Sequence, residues 1–234
     1  MIAAIRDGAR RRGISRLCHF TPSRNLVHIA TDLQGLLATE RLSSTELAAF
    51  NPTDLQRLDG YRDHVCCSIQ YPNAWYFQKA RSKDLLFRDW VVLMLKPDSL
   101  WMPGTRFCPR NAASGGGRFV HEGAEAFETL FAQSVTGAYD KVYTRGPGRL
   151  ESVPTDDQAE VLIPDSVSSE DVLGFAVLDG SQARREMARL KQLNAPVPRI
   201  WVAPDFFNAN WLSSILRSGG TPREEEFYAG DSNG

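Results

Sequence analysis

The longest apolar run in the chain, Trp90-Val-Val-Leu-Met-Leu95, is only six residues long. A run of that length without polar alternation reads as a strand buried on both faces, the middle of a sheet. It falls far short of the ~20 apolar residues that a membrane-spanning helix needs, so no membrane contact is expected. The other β-rich segments are also short: residues 14–21, His64 to Gln70, Gln158 to Ile163, Asp171 to Leu178 and Pro198 to Val202. Helical spacing falls between them at Asn25 to Leu37, Ser44 to Phe50, Gly123 to Gln133 and Ser181 to Leu193, with a turn at Asn51 to Asp54. Strands and helices do not alternate regularly, which predicts one α+β domain over residues 1–217. The tail, 218–234, carries Glu224-Glu225-Glu226 and is expected to fray.

Cys18, Cys66, Cys67 and Cys108 show no CxxC spacing, so neither a zinc ribbon nor a disulfide framework is indicated. The start, Met1 to Arg16, is Arg-rich but lacks the apolar core of a secretory signal. Both point to a reduced, cytoplasmic setting. Cys66-Cys67 reads as an alternating strand pair, with a catalytic thiol as the lesser alternative.

The net charge of -1 hides an asymmetry. Residues 1–120 carry 17 basic and 10 acidic side chains, and residues 121–234 carry 10 and 18. Positive charge gathers in a basic arm (Arg6, Arg10, Arg11, Arg12, Arg16) and around the glycine-rich segment 103–118 (Arg106, Arg110, Arg118), which reads as a flexible loop. Such clusters suit non-specific phosphate contacts, with a solvated basic surface as the plain alternative.

Three segments place polar groups where a scaffold could present them. In Leu17-Cys-His-Phe-Thr21, strand alternation puts His19 and Thr21 on one face and Phe20 on the other. Taken alone, His19 could equally be a core histidine held by a backbone carbonyl. In Gln158-Ala-Glu-Val-Leu-Ile163, Gln158, Glu160 and Leu162 share a face, and a carboxylate there is costly unless exposed or used. From Ser68 to Arg81, the aromatic residues Tyr71, Trp75, Tyr76 and Phe77 interleave with Asn73, Lys79 and Arg81, a mixture that suits base stacking or an ordinary core with a wet end.

In this order and spacing, LCHFTPSRNL at 17–26 and QAEVLIPDSV at 158–167 resemble the first and last motifs of the DarT-type DNA ADP-ribosyltransferase toxins. The resemblance covers roughly residues 17 to 180. The middle, with YPNAWYF, looks closer to a divergent branch than to the thymidine-modifying one. The resemblance implies an ADP-ribosyltransferase-like α+β fold with a split, mostly antiparallel sheet and peripheral helices. It implies NAD as co-substrate, no metal, single-stranded DNA (or RNA) as acceptor, a macrodomain antitoxin as partner, and a monomer. Glu160 would stabilise the charge that develops as the ribose–nicotinamide bond breaks. His19 and Thr21 would hold the nicotinamide and its ribose, with Asn25 in support. An arginine is also implied on the NAD phosphates or at the reacting base, either Arg57 or Arg62, with Arg57 favoured. Arg62, Tyr71, Asn73, Arg145, Arg149 and Gln158 would meet the nucleic acid. A transferase acting on RNA or protein, and a catalytically silent nucleic-acid-binding module, are the competing readings.

Overall fold

The computed structural model describes residues 2–42, 57–84 and 87–228. The segments expected as a helix at Ser44 to Phe50 and a turn at Asn51 to Asp54 lie outside them. The strands among the described residues are β1 (Leu17–Pro22), β2 (Leu36–Leu37), β3 (His64–Ile69), β4 (Trp90–Leu95), β5 (Arg106–Cys108), β6 (His121–Glu122), β7 (Ser134–Thr136), β8 (Val142–Thr144), β9 (Glu160–Pro164), β10 (Ser166–Val167), β11 (Val172–Val177), β12 (Arg199–Val202) and β13 (Glu225–Glu226). The α-helices are α1 (Ile2–Arg11), α2 (Leu26–Thr31), α3 (Ala74–Lys83), α4 (Gly123–Thr129), α5 (Gly180–Gln192) and α6 (Ala209–Arg217).

Nine strands join in the order β13-β12-β11-β4-β1-β3-β9-β5-β6, and only the β11–β12 pair is parallel. The six-residue apolar run is β4, buried along its whole length. Its alternation divides the core. Val91, Leu93 and Leu95 pack with Ile5 of α1, Phe127 of α4 and Leu190 of α5. Trp90, Val92 and Met94 pack with Phe77 of α3 and Leu212 of α6.

The sheet is zipped unevenly, and this positions the site. β1 stays paired with β4 from Leu17 to Pro22. Its pairing with β3 is confined to Leu17↔Ile69 and Cys18↔Ser68, while the rest of β3 pairs with β9. From His19 onward the two strands diverge, and a cleft opens between the halves of the sheet.

Several expected elements take different shapes. The helix read from Asn25 to Leu37 ends at Thr31, and Leu36–Leu37 instead pairs with β10. Gly35 permits that turn: its φ is +65°, and a Cβ there would stand 2.4 Å from Val167 O and from Ser169 N. The basic arm is largely the helix α1, which buries Ile5, Gly8 and Ala9. Arg12 bonds Glu128 and Glu151, and Arg16 pairs with Glu224. Glu225–Glu226 pairs with β12, so the sheet continues past the tail boundary expected at residue 217.

Candidate active site

His19 stands where β1 leaves β3. Its Nδ1 lies 2.8 Å from the carbonyl oxygen of Cys66, across the split. A carbonyl only accepts, so Nδ1 carries the hydrogen and Nε2 is left as an acceptor. Burial lowers the His19 pKa, the Cys66 bond opposes this, and the positive charge of Arg57 lowers it further. The ring is therefore a neutral imidazole at physiological pH. Two residues on, Thr21 Oγ1 accepts from Asn25 Nδ2 at 2.8 Å. The other amide atom, Asn25 Oδ1, is buried and has no partner among the described residues.

Glu160 opens β9. As alternation requires, Ala159, Val161 and Ile163 enter the main core while Leu162 turns to a separate cluster with Cys108, Ala112 and Val120. The Glu160 side chain is held rather than solvated: Oε1 accepts from Asn111 Nδ2 at 3.0 Å and Asn73 Nδ2 at 3.5 Å, and Oε2 accepts from the Ala112 amide at 3.3 Å. Asn111 and Ala112 belong to the glycine-rich segment expected to be a flexible loop. It is a folded support instead. Asn111 Oδ1 caps its short 3₁₀ turn, and Gly117 lets it pack so closely that a Cβ would fall 2.2 Å from Asp59 O.

Arg57 is buried in the wall of the same cleft. Its Nε and Nη2 donate to the two oxygens of Asp59 at 3.1 and 3.0 Å, and Nη1 donates to His64 O at 2.6 Å. Arg62 is exposed and does not line the cleft. Of the two arginines, the fold brings only Arg57 to Glu160. Asp59, Cys66 and Glu160 each place a potential ligand atom within 4.8 Å of the others. Both Asp59 oxygens are engaged by the guanidinium, and burial pushes the Cys66 thiol well up, so this donor set suits a charge-paired wall better than a cation site. Burial raises the Cys67 thiol too, which disfavours the thiolate that a nucleophile needs.

The cleft has a volume of about 790 Å³, within the range of small-molecule sites. One turn apart on α3, Trp75, Lys79 and Lys83 line its edge. Asn73 caps that helix, its Oδ1 accepting from the Tyr76 amide, so the residue that starts α3 also reaches Glu160. Gln158 lines the cleft as well.

Other residues expected at the nucleic acid are employed in folding. Tyr71 is buried against Phe206 and under Arg16. Arg145 donates to Val153 O and Leu150 O, and Arg149 to Pro154 O and Asp157, so both staple the loop that leads into Glu160. Arg106 pairs with Glu122, and Arg110 is buried against Phe119. Charge clustering along the sequence does not distinguish an arginine that faces solvent from one that closes a loop. Asp59 and Asn111 carried no motif signal, and the glycines that follow Asn111 read as flexibility, not as close packing.

Asp156 lies in the stapled loop with Oδ2 buried and without a hydrogen-bond partner among the described residues, and burial raises its pKa from 3.8 to about 6. The folded state thus binds this proton more tightly than the unfolded chain does. Ionisation costs stability that is absent below the ordinary value, grows through the interval, and is complete above about 6. Acidifying from about pH 7 to 5 should therefore stabilise this loop by about 1 kcal/mol, and Asp156→Asn should remove that part of the slope. Thermal melts of both proteins across pH would show it; parallel curves would contradict it.

A neutral imidazole and a held carboxylate face one cleft in a split, mostly antiparallel sheet, the arrangement expected of the ADP-ribosyltransferase class, whose chemistry uses NAD as co-substrate. A family profile described as "ssDNA thymidine ADP-ribosyltransferase, DarT" matches residues 18–208. The chain belongs to this family. Among solved structures, Thermus sp. 2.9 DarT in complex with NAD+ is similar at 17% identity and a TM-score of 0.54, covering 83% of this chain and 98% of that one. The same protein in complex with ADP-ribosylated ssDNA gives 16% and 0.55, covering 84% and 97%. Thermosipho africanus DarTG in complex with ADP-ribose gives 14% and 0.50, covering 82% and 51%. No curated protein matches the chain.

Proposed function

We propose that this chain transfers ADP-ribose from NAD to thymidine in single-stranded DNA, releasing nicotinamide, and that Glu160 carries the chemistry. The observation that supports this best is the Glu160 carboxylate, held by Asn111 and Ala112 at the cleft into which the neutral His19 also opens. Loss of nicotinamide builds positive charge on the ribose, and a fixed carboxylate in a partly dry site stabilises that charge without reorganising. His19 Nε2 accepts from a ribose hydroxyl. Thr21 and Asn25 hold the nicotinamide end, with Asn25 Oδ1 gaining the donor it lacks. Lys79 and Lys83 lie along the edge for the pyrophosphate. Arg57 acts as a positioning residue, its guanidinium fixed by Asp59 and His64 O. Gln158 and Asn73 orient Glu160 or the incoming base.

An unpaired base is reached more cheaply than a stacked, paired one, which favours a single strand. The family's description supports thymidine as the base, against the divergence in YPNAWYF. A macrodomain antitoxin that removes the mark, a cytoplasmic setting and a monomeric state belong to the same reading and rest on the family resemblance. Among the described residues no helix is long and apolar enough to cross a membrane.

A panel of DNA and RNA strands incubated with radiolabelled NAD tests the acceptor. Label should enter single-stranded DNA that contains thymidine and no strand that lacks it. Label on RNA or on protein alone would overturn the proposal.

A further inference from the structure

The split that makes the cleft has a closed end. His19 belongs to the half of the sheet that holds β4 and β1, and Glu160 to the half that holds β3 and β9. The ladder joining the halves has two pairs, Leu17↔Ile69 and Cys18↔Ser68, and so short a run frays readily. Arg16 stands just beyond it. Its main-chain oxygen accepts from the Gln70 amide at 3.1 Å, and its Nε donates to Gln70 O at 2.7 Å. Gln70 has a φ of +66°, which a residue with a side chain keeps only when its surroundings impose it. Three residues on, Asn73 starts α3 and reaches Glu160.

The Arg16 guanidinium is fixed in turn from a distant part of the chain. Nη1 and Nη2 donate to the two oxygens of Glu224, and the guanidinium carbon lies 5.2 Å from the Tyr71 ring centroid and 5.6 Å from that of Phe206. Only 13% of the Arg16 side chain and 17% of the Glu224 side chain are exposed. The segment around Glu224 is itself anchored: the Arg223 amide donates to Asp205, β13 pairs with β12, and the Phe227 amide donates to Ile200 O. Arg16 and Glu224 both fall outside residues 18–208, the span that the family profile matches.

We propose that Glu224 is a positioning residue for the transfer reaction: through Arg16 it clamps the closed end of the split and so sets His19 against Glu160. A bidentate pair fixes the plane of a guanidinium, and with it the aim of Nε at Gln70 O. Without the carboxylate, the charge is left unpaired among Tyr71, Phe206 and Met94 and turns toward water, taking Nε from Gln70. The end of the ladder then opens, and the two walls of the cleft lose their register. Groups that act from opposite walls are sensitive to this, since a displacement of about 1 Å can cost about a hundredfold in rate. The proposal rests on His19 and Glu160 serving the reaction from those two walls.

The test measures nicotinamide release from NAD, with thymidine-containing single-stranded DNA as acceptor, beside peptide-level hydrogen exchange. It compares the wild type with E224Q and with R16M/E224L, which leaves no buried charge and so keeps a folded protein if E224Q does not. Exchange should quicken over residues 15–22 and 64–73 in both variants and stay at the wild-type rate over β11 and α5. The kcat should fall by about tenfold or more, and the KM for NAD should rise with it. A role in stability alone lowers the maximal rate through fewer folded molecules and leaves KM unchanged. An unchanged KM with faster exchange throughout the sheet would therefore overturn the proposal. So would faster exchange at 15–22 and 64–73 with wild-type kcat and KM, since the clamp would then not govern the cleft. Wild-type exchange and kinetics in both variants would overturn the clamp itself. A wild type that releases no nicotinamide would overturn the reading of the site, and the positioning role with it, whatever the exchange shows.

Discussion

Glu160→Gln is expected to lower ADP-ribosyl transfer to single-stranded DNA by about a hundredfold to a thousandfold, the usual consequence of removing one preorganised electrostatic group. The two side chains have nearly the same shape, but the site does not treat them alike. One carboxylate oxygen accepts from Asn111 Nδ2 and the other from the Ala112 amide, so either orientation of a glutamine amide sets an N–H against a donor. Asn111 cannot simply flip, because its Oδ1 holds the Ser114 amide. A loss of stability of about 1–3 kcal/mol should accompany the loss of activity. Thermal unfolding measured beside activity separates the two. Activity within tenfold of wild type would remove Glu160 from the chemistry.

The second large effect is at Arg57. Arg57→Ala leaves the Asp59 carboxylate buried without its two-pronged partner and should cost about 3–5 kcal/mol. Arg57→Lys keeps the charge but cannot make both Asp59 bonds and the His64 O bond together, so it should fold with weakened activity. Replacing the pair together, Arg57→Met with Asp59→Leu, should recover part of the stability, since His64 O and the Tyr61 amide lose their partners, and none of the activity. If the double variant instead turned over NAD normally, the pair would be structural alone. A further readout follows from His19. The Arg57 charge helps to hold its pKa down, so removing the charge raises that pKa and moves the acidic limb of the rate profile toward neutrality.

Much of this was legible in the chain. The run Trp90 to Leu95 announced the central strand because a doubly buried strand must be apolar at every position. The face shared by Glu160 and Leu162 followed from strand alternation, and the motifs at 17–26 and 158–167 singled out His19 and Glu160, which line one cleft. Local rules failed where contacts distant in sequence decide conformation. Leu33 fits a helical spacing but is exposed, because Gly35 turns the chain against residues 167–169. The glycines at 115–117 read as flexibility, yet at Gly117 the missing side chain permits a close backbone contact that helps to build the Glu160 support. Arg145 and Arg149 read as phosphate ligands, although their carbonyl and carboxylate partners lie within the same loop.

In the proposed reaction, the cleft at the sheet split moves ADP-ribose from NAD onto a thymine base. The most direct measurement follows nicotinamide release and the mass of a single-stranded oligonucleotide in one reaction, with fragmentation to locate the adduct. The expected result is one nicotinamide released for each ADP-ribosyl unit found on thymidine, with both products down by about a hundredfold or more in Glu160→Gln. Nicotinamide released without any adduct on the DNA, or an adduct formed equally well by Glu160→Gln, would contradict it.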